Sequence, residues 1–231
     1  MLTDELNELL MDNGATLTGF CDLYGIAPDD MPYGVSVAVK IPASVVRSIS
    51  NGPTRAYFDA YHALNRKLDD LVLKTEAFLK SRGFHAQAQT LKSLEEFGVY
   101  RTRLPHKTIA TRSGLGWIGK SALFVNSTYG PAIRLSSLIT DAPLDCAVPI
   151  TKSKCGACTA CVESCPGKAI SGILWGEGLD RDDFFDVLAC RKKARELAAA
   201  CFGEEITLCG KCIEVCPYTK RYIGHDMDDA F

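Results

Sequence analysis

The 231 residues are 47% hydrophobic with a net charge of −2, enough apolar side chain for a sizeable core and too balanced for the basic footprint of a nucleic-acid binder. The acidic start, Met1-Leu2-Thr3-Asp4-Glu5-Leu6, lacks the apolar stretch of a secretory signal, and no run reaches the roughly 18 apolar residues of a membrane span. Eleven cysteines without an export signal imply reduced thiols in a cytoplasm.

Residues 3–12 predict a short helix ending at Asn13-Gly14. Val35-Ser36-Val37-Ala38-Val39 alternates around small side chains and predicts a strand, stopped by Pro42. From Thr54 to Arg82, Tyr57, Tyr61, Leu64, Leu68, Leu71 and Phe78 recur three or four apart. That is the apolar stripe of one long helix, with Thr54 as N-cap and Gly83 as stop. A short strand is expected at 84–89, followed by polar chain up to Gly114. Strands are expected at Leu123-Phe124-Val125 and over 133–139, either side of the turn Tyr129-Gly130-Pro131. Pro143 and Pro149 mark an edge at 141–154, beyond which a cysteine-rich module carries a helix over about 182–201. Helices and strands with no repeating βα period predict an α+β fold, divided into residues 1–145 and 146–231.

The cysteines carry the chemistry. Cys155-x2-Cys158-x2-Cys161-x3-Cys165-Pro166 has the bacterial-ferredoxin spacing for a cubane 4Fe-4S cluster, whose fourth cysteine reaches a neighbouring cluster. A second run, Cys209-x2-Cys212-x3-Cys216-Pro217, supplies the other half. The crossing predicts Cys155, Cys158, Cys161 and Cys216 around one cluster. Cys165, Cys209 and Cys212 serve the second, completed by Cys190 or Cys201. Cys190 is favoured, because Cys201 follows Leu197-Ala198-Ala199-Ala200 and precedes Gly203, the context of an apolar helix end. Paired C-x-x-C motifs also build zinc sites, but four-ligand zinc has no use for the four-cysteine run with its proline. Cys21 and Cys146 have no partner at ligand spacing.

Gly114-Leu115-Gly116-Trp117-Ile118-Gly119-Lys120-Ser121 satisfies both the P-loop and the dinucleotide glycine patterns. Its context opposes both, because each needs a preceding buried strand, and Pro105–Ser113 is polar with His106, Lys107 and Arg112. The segment reads instead as a close-packed loop whose glycines let backbone approach a flat or bulky group.

That glycine segment, followed by the double cysteine module, resembles the epoxyqueuosine reductases and their relatives, the reductive dehalogenases, from about Gly34 to Tyr222. The resemblance implies a nitroreductase-like, cobalamin-binding type of α+β domain joined to a ferredoxin-like module with two 4Fe-4S clusters. Electrons would pass from a donor such as ferredoxin or flavodoxin through both clusters to a cobalamin-type cofactor. His106, Lys107, Gly114, Gly116, Trp117, Gly119 and Lys120 are the cofactor-binding candidates, and Tyr61 and His62 the catalytic ones. The family's Gly-Arg-Asp-Tyr-His segment is matched by Phe58-Asp59-Ala60-Tyr61-His62, with Ala60 where an aspartate is thought to supply a proton. Asp59 is no substitute, since one helical step turns a side chain by about 100°.

The sequence stops at Phe231, before the C-terminal helical repeats by which many full-length members bind tRNA. With the weak charge, this argues against epoxyqueuosine reduction on tRNA and against a nucleic-acid partner, and for reduction of a small-molecule organic substrate. The alternative is an electron-transfer or corrinoid-activating protein with no substrate of its own. Arg191-Lys192-Lys193 and Arg195 form either a solvated helix face or a docking patch for an acidic electron donor.

Overall fold

The computed structural model describes residues 1–93 and 95–228. Helix α1 (Leu2–Asp12) leads to strands β1 (Leu17–Asp22) and β2 (Tyr33–Lys40), a short α2 (Ala43–Ser48) and the long α3 (Arg55–Ser81). Strands β3 (Ala86–Gln89), β4 (Glu96–Phe97) and β5 (Arg101–Thr102) precede α4 (His106–Arg112). The pair β6 (Trp117–Ile118) and β7 (Phe124–Val125) comes before β8 (Ile133–Thr140). Beyond it lie α5 (Ala160–Glu163), a 3-10 turn at Arg181–Asp183, α6 (Val187–Phe202), α7 (Lys211–Glu214) and α8 (Pro217–Asp228).

The chain groups into two compact units, each drawn from several segments. The first takes Met1–Val39, Leu64–Gly116 and Arg134–Thr151; the second takes Lys40–Ala63, Trp117–Ile133 and the chain from Lys152 onward.

The first unit is built on a sheet of order β1-β2-β8-β3. β1 and β2 are antiparallel with Cys21 opposite Gly34, and β3 and β8 are antiparallel with Ala86 opposite Thr140. Strand alternation sorts the side chains into two layers. Phe20, Val35, Val37, Val39 and Leu138 pack with Leu6 and Leu10 of α1 and with Leu68, Leu71, Val72 and Leu79 of α3. Cys21, Leu23 and Ile139 pack with Leu104 and with Ile109 of α4. Each large aliphatic side chain so buried contributes about 1.5–3 kcal/mol, which makes the α3 stripe the main anchor of the sheet.

The long helix begins where expected, since the Tyr57 backbone N–H donates to Thr54 Oγ1 at 3.2 Å. The polar stretch before Gly114 holds more structure than its sequence indicates. β4 and β5 pair antiparallel there, and α4 buries only Ile109, Ala110 and Thr111. One buried turn is too short to leave a helical period. β1 was likewise not anticipated, because Gly19 interrupts its alternation.

Candidate iron–sulfur centres

The thiols of the second unit are positioned by short helices. Cys161 sits on α5, and the Cys158 N–H donates to the Cys155 carbonyl at 3.2 Å, curling the first three cysteines into one loop. Pro217 opens α8, a position where the missing N–H costs nothing. The following N–H groups of Tyr218 and Thr219 bond to the Cys216 sulfur, so this thiol caps the positive end of a helix. The Lys211 N–H bonds to the Cys209 sulfur, and the Ala169 N–H to the Cys165 sulfur at 3.4 Å.

These thiols line two cavities. One, of about 230 Å³, is bordered by Cys155, Cys158, Cys161 and Cys216. The other, of about 80 Å³, is bordered by Cys165, Cys190 and Cys209. Cys212 borders both. Cys190 occupies the first turn of α6, behind the Asp186 N-cap. Cys201 lies at the other end of that helix, exposed, one residue before Phe202 and the left-handed cap Gly203. It is within electrostatic reach of Cys209 but borders neither cavity.

Burial, and then the neighbouring sulfurs, push the Cys161 and Cys190 thiols up to about 11, and Cys212 is raised by the same causes. Thiols held this way ionise only against a cation, so cluster assembly must release protons. Among the described residues, no three His, Cys, Asp or Glu side chains converge where they could hold a single metal ion. Thiols from both cysteine runs border each cavity, which fits the ligand chemistry of a 4Fe-4S cluster.

The glycine segment enters the same unit as the β6–β7 pair, with Trp117 opposite Val125. Gly119 donates to the Leu123 carbonyl at 2.8 Å, and a Cβ there would lie 2.8 Å from Val125 Cγ2 and 3.4 Å from the Cys155 sulfur. Lys120, 6% exposed, donates to the Cys158 carbonyl at 2.9 Å. Trp117 stacks edge-on to Tyr218 at 5.1 Å, and its buried Nε1 has no hydrogen-bond partner. The element before the glycines is a helix, so the nucleotide patterns are coincidental.

His106, Lys107, Gly114 and Gly116 belong to the first unit. Ser137 Oγ donates to Gln89 Oε1 at 2.7 Å, so its contact with His106 Nδ1, also 2.7 Å, makes the imidazole the donor there. Burial, with the Arg134 charge, lowers His106 to about 4. Lys107 is half-buried on α4, Gly114 has φ +69° against the Val148 carbonyl, and Gly116 is buried. Asn65, which the sequence did not single out, accepts from Arg134 Nε and Nη2 at 3.1 and 2.7 Å. That fixes its amide and leaves its buried Nδ2 without a partner.

Tyr61 and His62 are half-buried in the second unit, their rings edge-on at 5.2 Å. Asp59 pairs with Arg55 at 3.3 Å on the surface.

Residues 154–219 match the 4Fe-4S double cluster binding domain. An epoxyqueuosine reductase of Lactococcus garvieae is 30% identical over 171 residues, 72% of this chain and 44% of its own length. That of Pseudomonas aeruginosa is 31% identical over 197 residues, 77% and 50% of the two chains. The chain is an iron–sulfur relative of the epoxyqueuosine reductases. It spans half or less of the length of these curated relatives. Within this group, its double-cluster domain provides sites for two 4Fe-4S clusters.

The α+β fold is shared with an epoxyqueuosine reductase solved with an epoxyqueuosine-modified tRNA stem loop, at TM-score 0.62 and 22% identity, covering 95% of this chain and 65% of that one. It is shared too with a catabolic reductive dehalogenase solved with 3-bromo-4-hydroxybenzoic acid, at TM-score 0.69 and 18% identity, covering 97% and 35%.

The relatives overturn two sequence expectations: a free small-molecule substrate placed ahead of epoxyqueuosine on tRNA, and the argument against a nucleic-acid partner. Both leaned on where the sequence stops and on net charge, a whole-chain sum, whereas a modified base is recognised by local contacts. No helix among the described residues is long and apolar enough to cross a membrane.

Proposed function

We propose that this chain reduces epoxyqueuosine carried on tRNA, removing the epoxide oxygen with electrons delivered through its two 4Fe-4S clusters, in the cytoplasm. The observation that carries the reading is the pair of thiol-lined cavities in a chain whose relatives, over 72% and 77% of its length, are epoxyqueuosine reductases. Conversion of an epoxide to an alkene and water consumes two electrons and two protons, and a pair of one-electron clusters supplies electrons in matching number.

A cobalamin-type cofactor fits the first unit's chemistry: the fixed, unpaired Asn65 Nδ2 is a buried donor, and a corrin is edged with amide carbonyls. When bound, cobalamin supplies a cobalt centre that passes low-potential electrons to carbon. Asn65 would hold one such carbonyl, oriented by Arg134. His106 stays neutral at pH 7, with Nδ1–H committed to Ser137 and Nε2 as the acceptor. Tyr61 is the candidate proton source, a phenol steadied edge-on by the His62 ring. Ala60 offers no carboxyl and Asp59 is tied to Arg55, so a phenol takes the role of the carboxylic acid.

The test is anaerobic incubation of cluster-loaded chain with cobalamin, a viologen-class reductant and an epoxyqueuosine-containing tRNA stem loop. The expected product is RNA lighter by one oxygen. Unchanged RNA, with iron content intact and both clusters reducible, removes the proposal.

A further inference from the structure

Lys120 has an unusual environment for a lysine. It is 6% exposed, and among the described residues its Nζ donates to the backbone carbonyl of Cys158, which borders the larger cavity that Lys120 also lines. No carboxylate among the described residues pairs with it. A buried ammonium without a counter-charge is costly. The two other cations bordering that cavity, Lys154 and Arg221, lie over the aromatic rings of Trp117 and Tyr218, at 5.9 and 4.5 Å. Both are exposed and screened by solvent.

The smaller cavity is surrounded differently. Its two lysines are each ion-paired, Lys193 with Glu196 at 3.3 Å and Lys211 with Glu214 at 3.0 Å, a buried carboxylate that Lys220 shares. Lys211 also donates to the Ser50 carbonyl at 2.9 Å.

A four-thiolate 4Fe-4S cluster is a dianion when oxidised and a trianion when reduced, so a nearby buried cation stabilises the reduced form more and raises the potential. We infer that Lys120 is the buried counter-charge of the first cluster and makes it the higher-potential member of the pair, so that electrons entering at the second cluster come to rest on the first. The inference rests on the two-cluster reading and is independent of the substrate.

The test is a redox titration of the cluster-loaded chain followed by spin resonance, with iron and sulfide measured on every sample. The wild type should show two separated midpoints. Lys120→Met should lower the higher one, so that at fixed potential the reduced-to-oxidised ratio falls at least tenfold, about 59 mV for a one-electron couple. The lower midpoint should stay, Lys120→Arg should keep both, and Lys193→Met should leave both in place. If Lys120→Met loses iron, Lys120→Gln carries the same expectation. Coincident midpoints in the wild type overturn the inference without any variant. So does a higher midpoint indifferent to Lys120→Met, an equal fall in both, or an equal fall in Lys120→Arg. Failure of the two-cluster reading is distinguishable, because it shows as iron for one cluster or none.

Discussion

The two thiol-lined cavities draw on the same pair of cysteine runs yet differ in size and surroundings. The larger borrows its wall from the β6–β7 pair, which brings Gly119 against the Cys155 sulfur and Lys120 onto the Cys158 carbonyl. The smaller is closed by α6, which supplies Cys190 together with the ion-paired Lys193. Cysteine spacing therefore gathers the thiols, while elements distant in sequence set how each cavity is walled and charged. A variant that disables one cavity and spares the other is the sharpest probe of that division.

The largest effect is expected at the eighth ligand. Cys190→Ser should lose the second cluster and so halve iron and sulfide, while the spin signal of the first persists. Cys201→Ser should retain both clusters, since that thiol borders neither cavity. The reverse pattern would hand the eighth position to Cys201 and dissolve the contrast between the walls.

The cysteine runs and the α3 stripe could be read directly, because ligand spacing and helical period are one-dimensional signals. Other features arise only from the fold. Asn65 sits beside the apolar stripe, and nothing local shows that it pairs with Arg134, 69 residues away. Lys120 stood out in the glycine segment, but its partner, the Cys158 carbonyl, comes from the module beyond β8. The α4 helix was hidden because so little of it is buried. The substrate was misjudged for a related reason: a sum of charges cannot report where the cations sit.

A second, intermediate effect should appear on acidification, within the first unit. His106 is held near 4 in the folded chain, against an ordinary value of 6.5, by burial and the Arg134 charge. Its folded pKa is depressed, so the unfolded chain binds more protons between those values and stability falls as pH drops from about 6.5 toward 4. The full difference is on the order of 3 kcal/mol. Anaerobic thermal unfolding at pH 7 and pH 5 should therefore show a larger loss in wild type than in His106→Asn, which keeps a donor for Ser137 without titrating. Equal losses would move the acid sensitivity elsewhere, with the thiol-lined cavities the next place to look.

The smallest effect is the most local. Gly130 has φ +60° and closes the Asn126–Gly130 turn, with reciprocal backbone bonds of 2.9 and 3.0 Å. A Cβ there would lie 2.5 Å from Thr219 Oγ1 and 2.6 Å from the Thr219 nitrogen. That nitrogen is one of the two donors holding the Cys216 sulfur at the start of α8. Gly130→Ala thus incurs about 1–2 kcal/mol for a left-handed non-glycine backbone, and its overlap must displace Thr219 at the start of α8. Cys216 borders the larger cavity and not the smaller, so iron release to a chelator should become biphasic, with one cluster's worth lost faster and the other at the wild-type rate. Uniform acceleration of both phases would mean that the two cavities loosen together, and that their walls are not independent.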